Sequence, residues 1–321
     1  MKLWLLTIGL LVCVTGCLHA QDPAVFNHYV QSPVILNPAA VGFADEYRVM
    51  LNTRAAWAGF EEAPRTLALR ANGPIGESFG LGFTFLSESA ARRSRNKGQI
   101  DVSFRVNFGE EVDGKAPFQG GIGFFTELQR FTLDAGLLSN PQYQAGDPLA
   151  QEYFDGDTHF DAGIGIYGAY LENTFGGITI NNLVENRLNN IAGENLNEAI
   201  NFTFLFGHAF DLETSGITLT PSLMLRDVQG APFMLDVNVQ AEFLDDQFLA
   251  GLSYRNLGSV GMLLGARLNG FQLYYAYDLG FGGLQQYSSG SHELTVGYAI
   301  TRRAMNEART RRARQSGQRL N

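Results

Sequence analysis

From residue 46 onward, apolar and polar side chains take turns at every second position, the period of a strand with two unlike faces. Ile100, Val102, Phe104, Val106 and Phe108 oppose Asp101, Ser103, Arg105 and Asn107. Leu235, Val237, Val239 and Ala241 oppose Asp236, Asn238, Gln240 and Glu242. Stretches of this kind lie near 46–55, 63–71, 79–88, 98–108, 118–128, 158–168, 174–181, 198–209, 215–226, 231–241, 246–256, 258–268, 270–279 and 291–300. Most run for about ten residues, enough for a tilted strand to cross a bilayer. Past the first twenty residues no apolar run approaches the ~20 residues of a membrane helix. A membrane-spanning form of this chain is therefore a closed barrel.

Alternation fits two architectures. A lipid-embedded barrel turns its apolar face outward, whereas a β-sandwich turns it inward. Connection length helps to separate them. With both chain ends on one side, the connections after even strands are the short ones at Glu172-Asn173, 211–214, Leu244-Asp245 and Asn269, with longer ones at 72–78 and 109–117. Those after odd strands include 129–157 and 182–197, with medium ones at 89–97 and 280–290. Long connections gathered at one end are the outer-membrane pattern. The predicted fold is all-β: a transmembrane antiparallel outer-membrane β-barrel of about fourteen strands spanning 46–300. Glycines inside the strand patterns (Gly82, Gly121, Gly123, Gly163, Gly165, Gly251, Gly261 and Gly265) permit either tight coiling or room for a plug.

Composition agrees with this. Charged residues make up 17% of the chain, against about 25% in soluble domains, and 37 Gly, 24 Phe and 12 Tyr suit a wall facing lipid. Met1-Lys2 followed by the apolar stretch 3–14 reads as a signal peptide over 1–20. It has two exits: cleavage between Ala20 and Gln21, or a lipobox-like run ending at Cys17, which would then be lipidated. Both cysteines, Cys13 and Cys17, lie in this leader, so no disulfide frame is expected. Residues 21–45 carry Pro23, Pro33, Pro38 and Gly42, with Asn37 directly before a proline. They read as ordered coil, a pre-barrel segment able to fold into the lumen as a plug.

The tail 301–321 holds Arg302, Arg303, Arg309, Arg311, Arg312, Arg314 and Arg319 against the single acid Glu307, in a chain of net charge −9. Three readings stay open for it: a solvated arm, a short helix docking on an acidic periplasmic protein, or contact with anionic lipid or cell wall. Nucleic acid is a poor partner for an exported chain without a basic fold. No phosphate loop, metal-ligand spacing or nucleophile elbow appears, so neither cofactor nor catalytic centre is expected. His159 and Asp161 share a strand face, and 140–157 is acidic without a regular calcium-loop frame.

One group of residues carries a resemblance. Tyr29, Leu36, Asn37, Pro38, Ala39 and Gly42, then Arg54, Trp57, Gly59, Pro64 and Thr66, resemble the opening of the PorP/SprF family of type IX secretion and gliding-motility barrels. Phe160–Tyr167 and Ile180–Leu183 match in the middle; Tyr275, Tyr277, Asp278, His292 and Glu293 match near the end. The resemblance favours cleavage after Ala20 and assigns a structural role to these motif residues. It implies a non-enzymatic outer-membrane component that binds, and helps to export or anchor, a secreted adhesin or surface protein. Surface loops would hold that partner, and the basic tail would touch a periplasmic scaffold or motor protein. The competing reading is a passive diffusion channel or small-solute transporter, and a third is an outer-membrane lipid hydrolase. The tail departs from a barrel that stops at its last strand.

Overall fold

A computed structural model describes residues 26–110, 116–134, 136, 154, 156–184, 201–212, 215–228, 231–281 and 288–305. The strands are β1 (Glu46–Ala55), β2 (Arg65–Ile75), β3 (Phe79–Ala90), β4 (Arg93–Phe108), β5 (Phe118–Leu133), β6 (Asp157–Tyr170), β7 (Thr174–Asn181), β8 (Asn201–His208), β9 (Phe210–Leu212), β10 (Ile217–Asp227), β11 (Met234–Phe243), β12 (Phe248–Arg255), β13 (Ser259–Leu268), β14 (Phe271–Gly280) and β15 (Ser291–Thr301). Every pairing is antiparallel, and β15 returns to β1 with Glu46 opposite Thr301. Fourteen strands thus close a ring with no free edge, while β9 pairs only with the first residues of β10, outside it.

The predicted alternation holds, with its apolar side facing outward. Val49, Leu51, Leu67, Leu69, Phe83, Phe85, Ile100, Val102 and Phe124 are exposed. Their strand neighbours Asn52, Arg70, Asp101, Ser103 and Glu127 are buried. A soluble sandwich would bury the first set and hydrate the second. Only lipid makes this arrangement favourable on the outside.

The structure corrects four connections, one of them at 129–133, expected as the start of a loop but the end of β5. Residues 89–97, expected as a loop, continue β3 and β4, with Ser89 paired to Ser94 and Ala90 to Arg93. The chain reverses at Ala91 and Arg92, both at positive φ (47° and 65°). This is the two-residue turn that matches strand twist, and the sequence hides it because neither residue is Gly, Asn or Asp. Residues 72–75, expected as turn, complete β2. Phe210–Leu212, partly assigned to an expected turn, is β9. The ring has a turn end, which carries the starts of β1 and β3, the end of β15 and the reversal at Asn269-Gly270, and an opposite loop end. Most of 129–157 and 182–197 lies outside the described residues, as do 1–25 and 306–321.

Arginine in place of Leu69, mid-strand on the outer face, is expected to cost about 2–4 kcal/mol of stability in a bilayer. Denaturant titration of protein refolded into vesicles measures this, with Leu244→Arg at a turn costing about 0–1 kcal/mol.

Candidate functional site: the lumen

A ring of fourteen strands is wider than the ~8-stranded barrels that wall side chains fill, and narrower than porins of about 16–18 strands. Here the interior is occupied by the chain itself. Pro33 and Pro38, each free of an N–H that a first helical position would leave unpaired, open the short 3₁₀ turns Pro33–Ile35 and Pro38–Ala40. Phe26, His28, Tyr29, Ser32, Ala39 and Val41 are all at most 1% exposed. The 26–45 segment runs from the loop-end half of the lumen, beside Arg54 and Asp278, to the turn end, where Asp45 leads into β1.

Two kinds of wall hold it. The first is charged. Glu293 of β15 accepts from the Asn27 backbone N–H (3.2 Å), from Asn52 Nδ2 (3.2 Å) and from Arg54 Nη1 (3.1 Å), and bonds His28 Nδ1 at 3.0 Å. Arg54 Nη2 reaches Asp278 Oδ2 at 2.6 Å, and Asn27 Nδ2 donates to the same oxygen at 3.1 Å. Arg255 donates to Asp236 at 2.6 Å and to Asn27 Oδ1, and Asp236 accepts the Tyr29 hydroxyl at 3.1 Å. The His28 ring stacks on Tyr274, 5.7 Å between centroids and 8° from parallel. Two arginines and three carboxylates from five strands thus converge on three consecutive residues of the segment. Ion pairs buried this way are stable only when every member is satisfied, and removing one partner costs about 3–5 kcal/mol.

The second wall is built for close approach. Asn37 caps its 3₁₀ turn by accepting from Ala39 N–H (2.9 Å), and its amide donates to the carbonyls of Ile166 (2.8 Å) and Ile178 (3.3 Å). A Cβ on Gly165 would lie 2.2 Å from Asn37 Oδ1, and one on Gly123 would lie 2.3 Å from the Ala39 nitrogen. Glycine at these two positions therefore makes room for the segment. Thr179 Oγ1 donates to the Leu36 carbonyl (2.8 Å), and towards the turn end Ser103 Oγ donates to the Val41 carbonyl (2.6 Å) and Arg105 to that of Gly42.

Most of the motif residues thus fall into two groups. Tyr29, Asn37, Pro38, Gly42, Arg54, Asp278 and Glu293 line or form the segment's seat. Trp57, Gly59, Pro64 and Tyr277 belong to a strap at the loop end. There Trp57 N–H donates to Ser291 Oγ (3.1 Å), Ala58 N–H to the Gly290 carbonyl (2.7 Å), and the Tyr277 hydroxyl to the Ser289 carbonyl (2.9 Å). Gly59 takes φ 104°, and the Pro64 carbonyl accepts from Ala56 at 2.9 Å. His292 faces outward and bonds the Tyr275 hydroxyl at 2.8 Å. His159 and Asp161 do not act as a pair: His159 bonds Asp157 at 2.5 Å, and Asp161 accepts the backbone N–H groups of Asn182 and Val184. Asn27, Asn52, Asp236 and Arg255 were not among the motif residues; strand parity turns Asn52, Asp236 and Arg255 inward, whereas Asn27 precedes the strands and carries no such mark. Among the described residues no three His, Cys, Asp or Glu side chains gather as metal ligands.

Of the tail, Arg302 and Arg303 are described. Arg302 bonds the Gly76 carbonyl and lies 3.4 Å from Asp45, which fixes the tail's start against the turn-end rim. Arg309, Arg311, Arg312, Arg314 and Cys17 lie outside the described residues.

The model of the type IX secretion system membrane protein PorP/SprF matches residues 18–298. The chain belongs to the PorP/SprF family. Solved structures similar to this family member in fold include the CymD monoaromatic hydrocarbon channel, with 10% identity, a TM-score of 0.50, and 87% of this chain and 94% of that one covered. Another is the outer membrane protein Omp33 of Acinetobacter baumannii, with 4% identity, a TM-score of 0.43, and 79% and 99% covered. No curated protein sequence matches. This PorP/SprF chain is accordingly a type IX secretion membrane protein with an outer-membrane barrel fold.

Glu293→Gln is expected to loosen the segment, because Arg54 and His28 lose a charged partner. With Ser32→Cys as a reporter, a membrane-impermeant thiol reagent should label the Glu293→Gln chain and leave the Glu293 chain unlabelled.

Proposed function

We propose that this protein is a non-enzymatic, partner-binding barrel of the type IX machinery, which holds a secreted adhesin or surface protein at the membrane and helps to export or anchor it. The observation that carries this reading is the occupied lumen. A barrel whose interior is taken up by its own chain, bonded to walls on opposite sides, has its rims left for work. In this reading the loop end faces the medium and the turn end the periplasm, because outer-membrane barrels place long connections outside. The leader 1–20 directs export, with cleavage after Ala20. The basic residues from Arg302 to Arg314 then extend into the periplasm from the rim that Arg302 fixes, where a scaffold or motor component with an acidic surface is their partner. Lipid contacts the exposed apolar belt.

The passive-channel alternative requires a water-filled path through the lumen, and the buried 26–45 segment argues against it. The test is a mild-detergent pull-down of the tagged protein, with and without residues 301–321. The expected result is co-purification of a large secreted protein and periplasmic type IX components, the latter lost on truncation. A single clean species from both chains would contradict the reading.

A further inference from the structure

The lumen is not filled throughout. On the loop-end side of the 26–45 segment lies a cavity of about 440 Å³, within the ordinary size of a small-ligand site. Its floor is Phe26 with residues 34–38, and its wall carries the charged side chains Arg70, Arg95, Lys97, Arg226, Glu127 and Asp161. Gln129 sits in the loop-end part of β5, while Asn182 and Val228 follow the loop ends of β7 and β10.

Most of this charge is already engaged. Arg95 pairs with Glu88 at 3.0 Å and Lys97 with Glu127 at 2.9 Å. Asp161 is held by two backbone N–H groups. Arg70 differs. It is 6% exposed, its Nη1 is enclosed without a hydrogen-bond partner, and its guanidinium lies 4.7 Å over the Phe26 ring. The carboxylates whose field reaches it, Glu293 and Asp101, are taken by other donors, Asp101 by Gln99 at 2.7 Å. A guanidinium has five donors and no acceptor, and burying it unpaired is costly. A planar two-oxygen anion is the group that matches its fork.

We propose that this cavity is a carboxylate-binding site in which Arg70 takes the anion. The two carboxylates in the wall disfavour a multiply charged phosphate, whereas one carboxylate balances one unpaired guanidinium. Val34 and Ile35, half-buried beside Phe26, offer the remainder of the ligand an apolar floor. The ligand is thus a small carboxylic acid, or the carboxylate end of an extended chain entering from the loop end. This goes beyond the partner-binding reading and stands or falls independently of it.

Calorimetry on the full-length mature barrel tests it with three probes: propionate, N-acetyl-trialanine and the C-terminal amide of that peptide. The acids are expected to bind and the amide to fail. Equal affinity for the two acids identifies a free small acid as the ligand, and preference for the peptide identifies a chain end. Arg70→Gln removes the charge without breaking a protein hydrogen bond and should weaken binding by about 10–100-fold, while Arg70→Lys retains part of it. Unchanged binding in Arg70→Gln, or no binding of either acid, overturns the proposal.

Discussion

The structure depends on one constraint: charge facing the inside of a membrane barrel has to be paired there, since the outside is lipid and the wall is one residue thick. Arg54, Asp278, Glu293, Asp236 and Arg255 come from five strands, and the wall alone leaves their arrangement short of donors. The backbone N–H and side-chain amide of Asn27, the ring of His28 and the hydroxyl of Tyr29 supply them. Barrel and segment therefore complete one another. The apolar outer belt places the barrel in the membrane, and the polar inner face selects what fills it.

The opposite wall solves a different problem by a different means. Around Asn37 and Ala39 the segment approaches strand backbone so closely that side chains are excluded, and glycines at 123 and 165 give the space. One side of the lumen thus grips by charge, the other by shape. Between them the chain crosses the interior from its loop-end half to the turn end and leaves a cavity beside its loop-end part. This geometry turns attention from conduction to the rims: the strap joining Trp57 and Ala58 to Ser289–Ser291 at one end, and the seat of Arg302 at the other.

Much of this was legible in the residues. Strict alternation in 100–108 and 235–242 determines two faces, and the sorting of connection lengths shows which way they turn. Strand bounds failed where residues lacked turn chemistry. Ala91 and Arg92 adopt positive φ without Gly, Asn or Asp, and Ala209 interrupts a strand that resumes as β9. The proline-rich run 23–38 announced coil, with the lumen as one place for it, but not the contacts that hold it there. Nothing local in Asn27 says that Glu293 lies beside it, because contacts across 266 residues depend on ring closure. Inward parity could have found Asp236 and Arg255 as lumenal; their bonds to the segment required the three-dimensional arrangement.

The central claim is that the chain occludes its own pore, and planar-bilayer recording tests it most directly. The account predicts that the intact protein inserts without conducting steps, and that a chain lacking residues 26–43 conducts in a stable, salt-dependent way. Stable conductance by the intact chain, unchanged by the deletion, would contradict it.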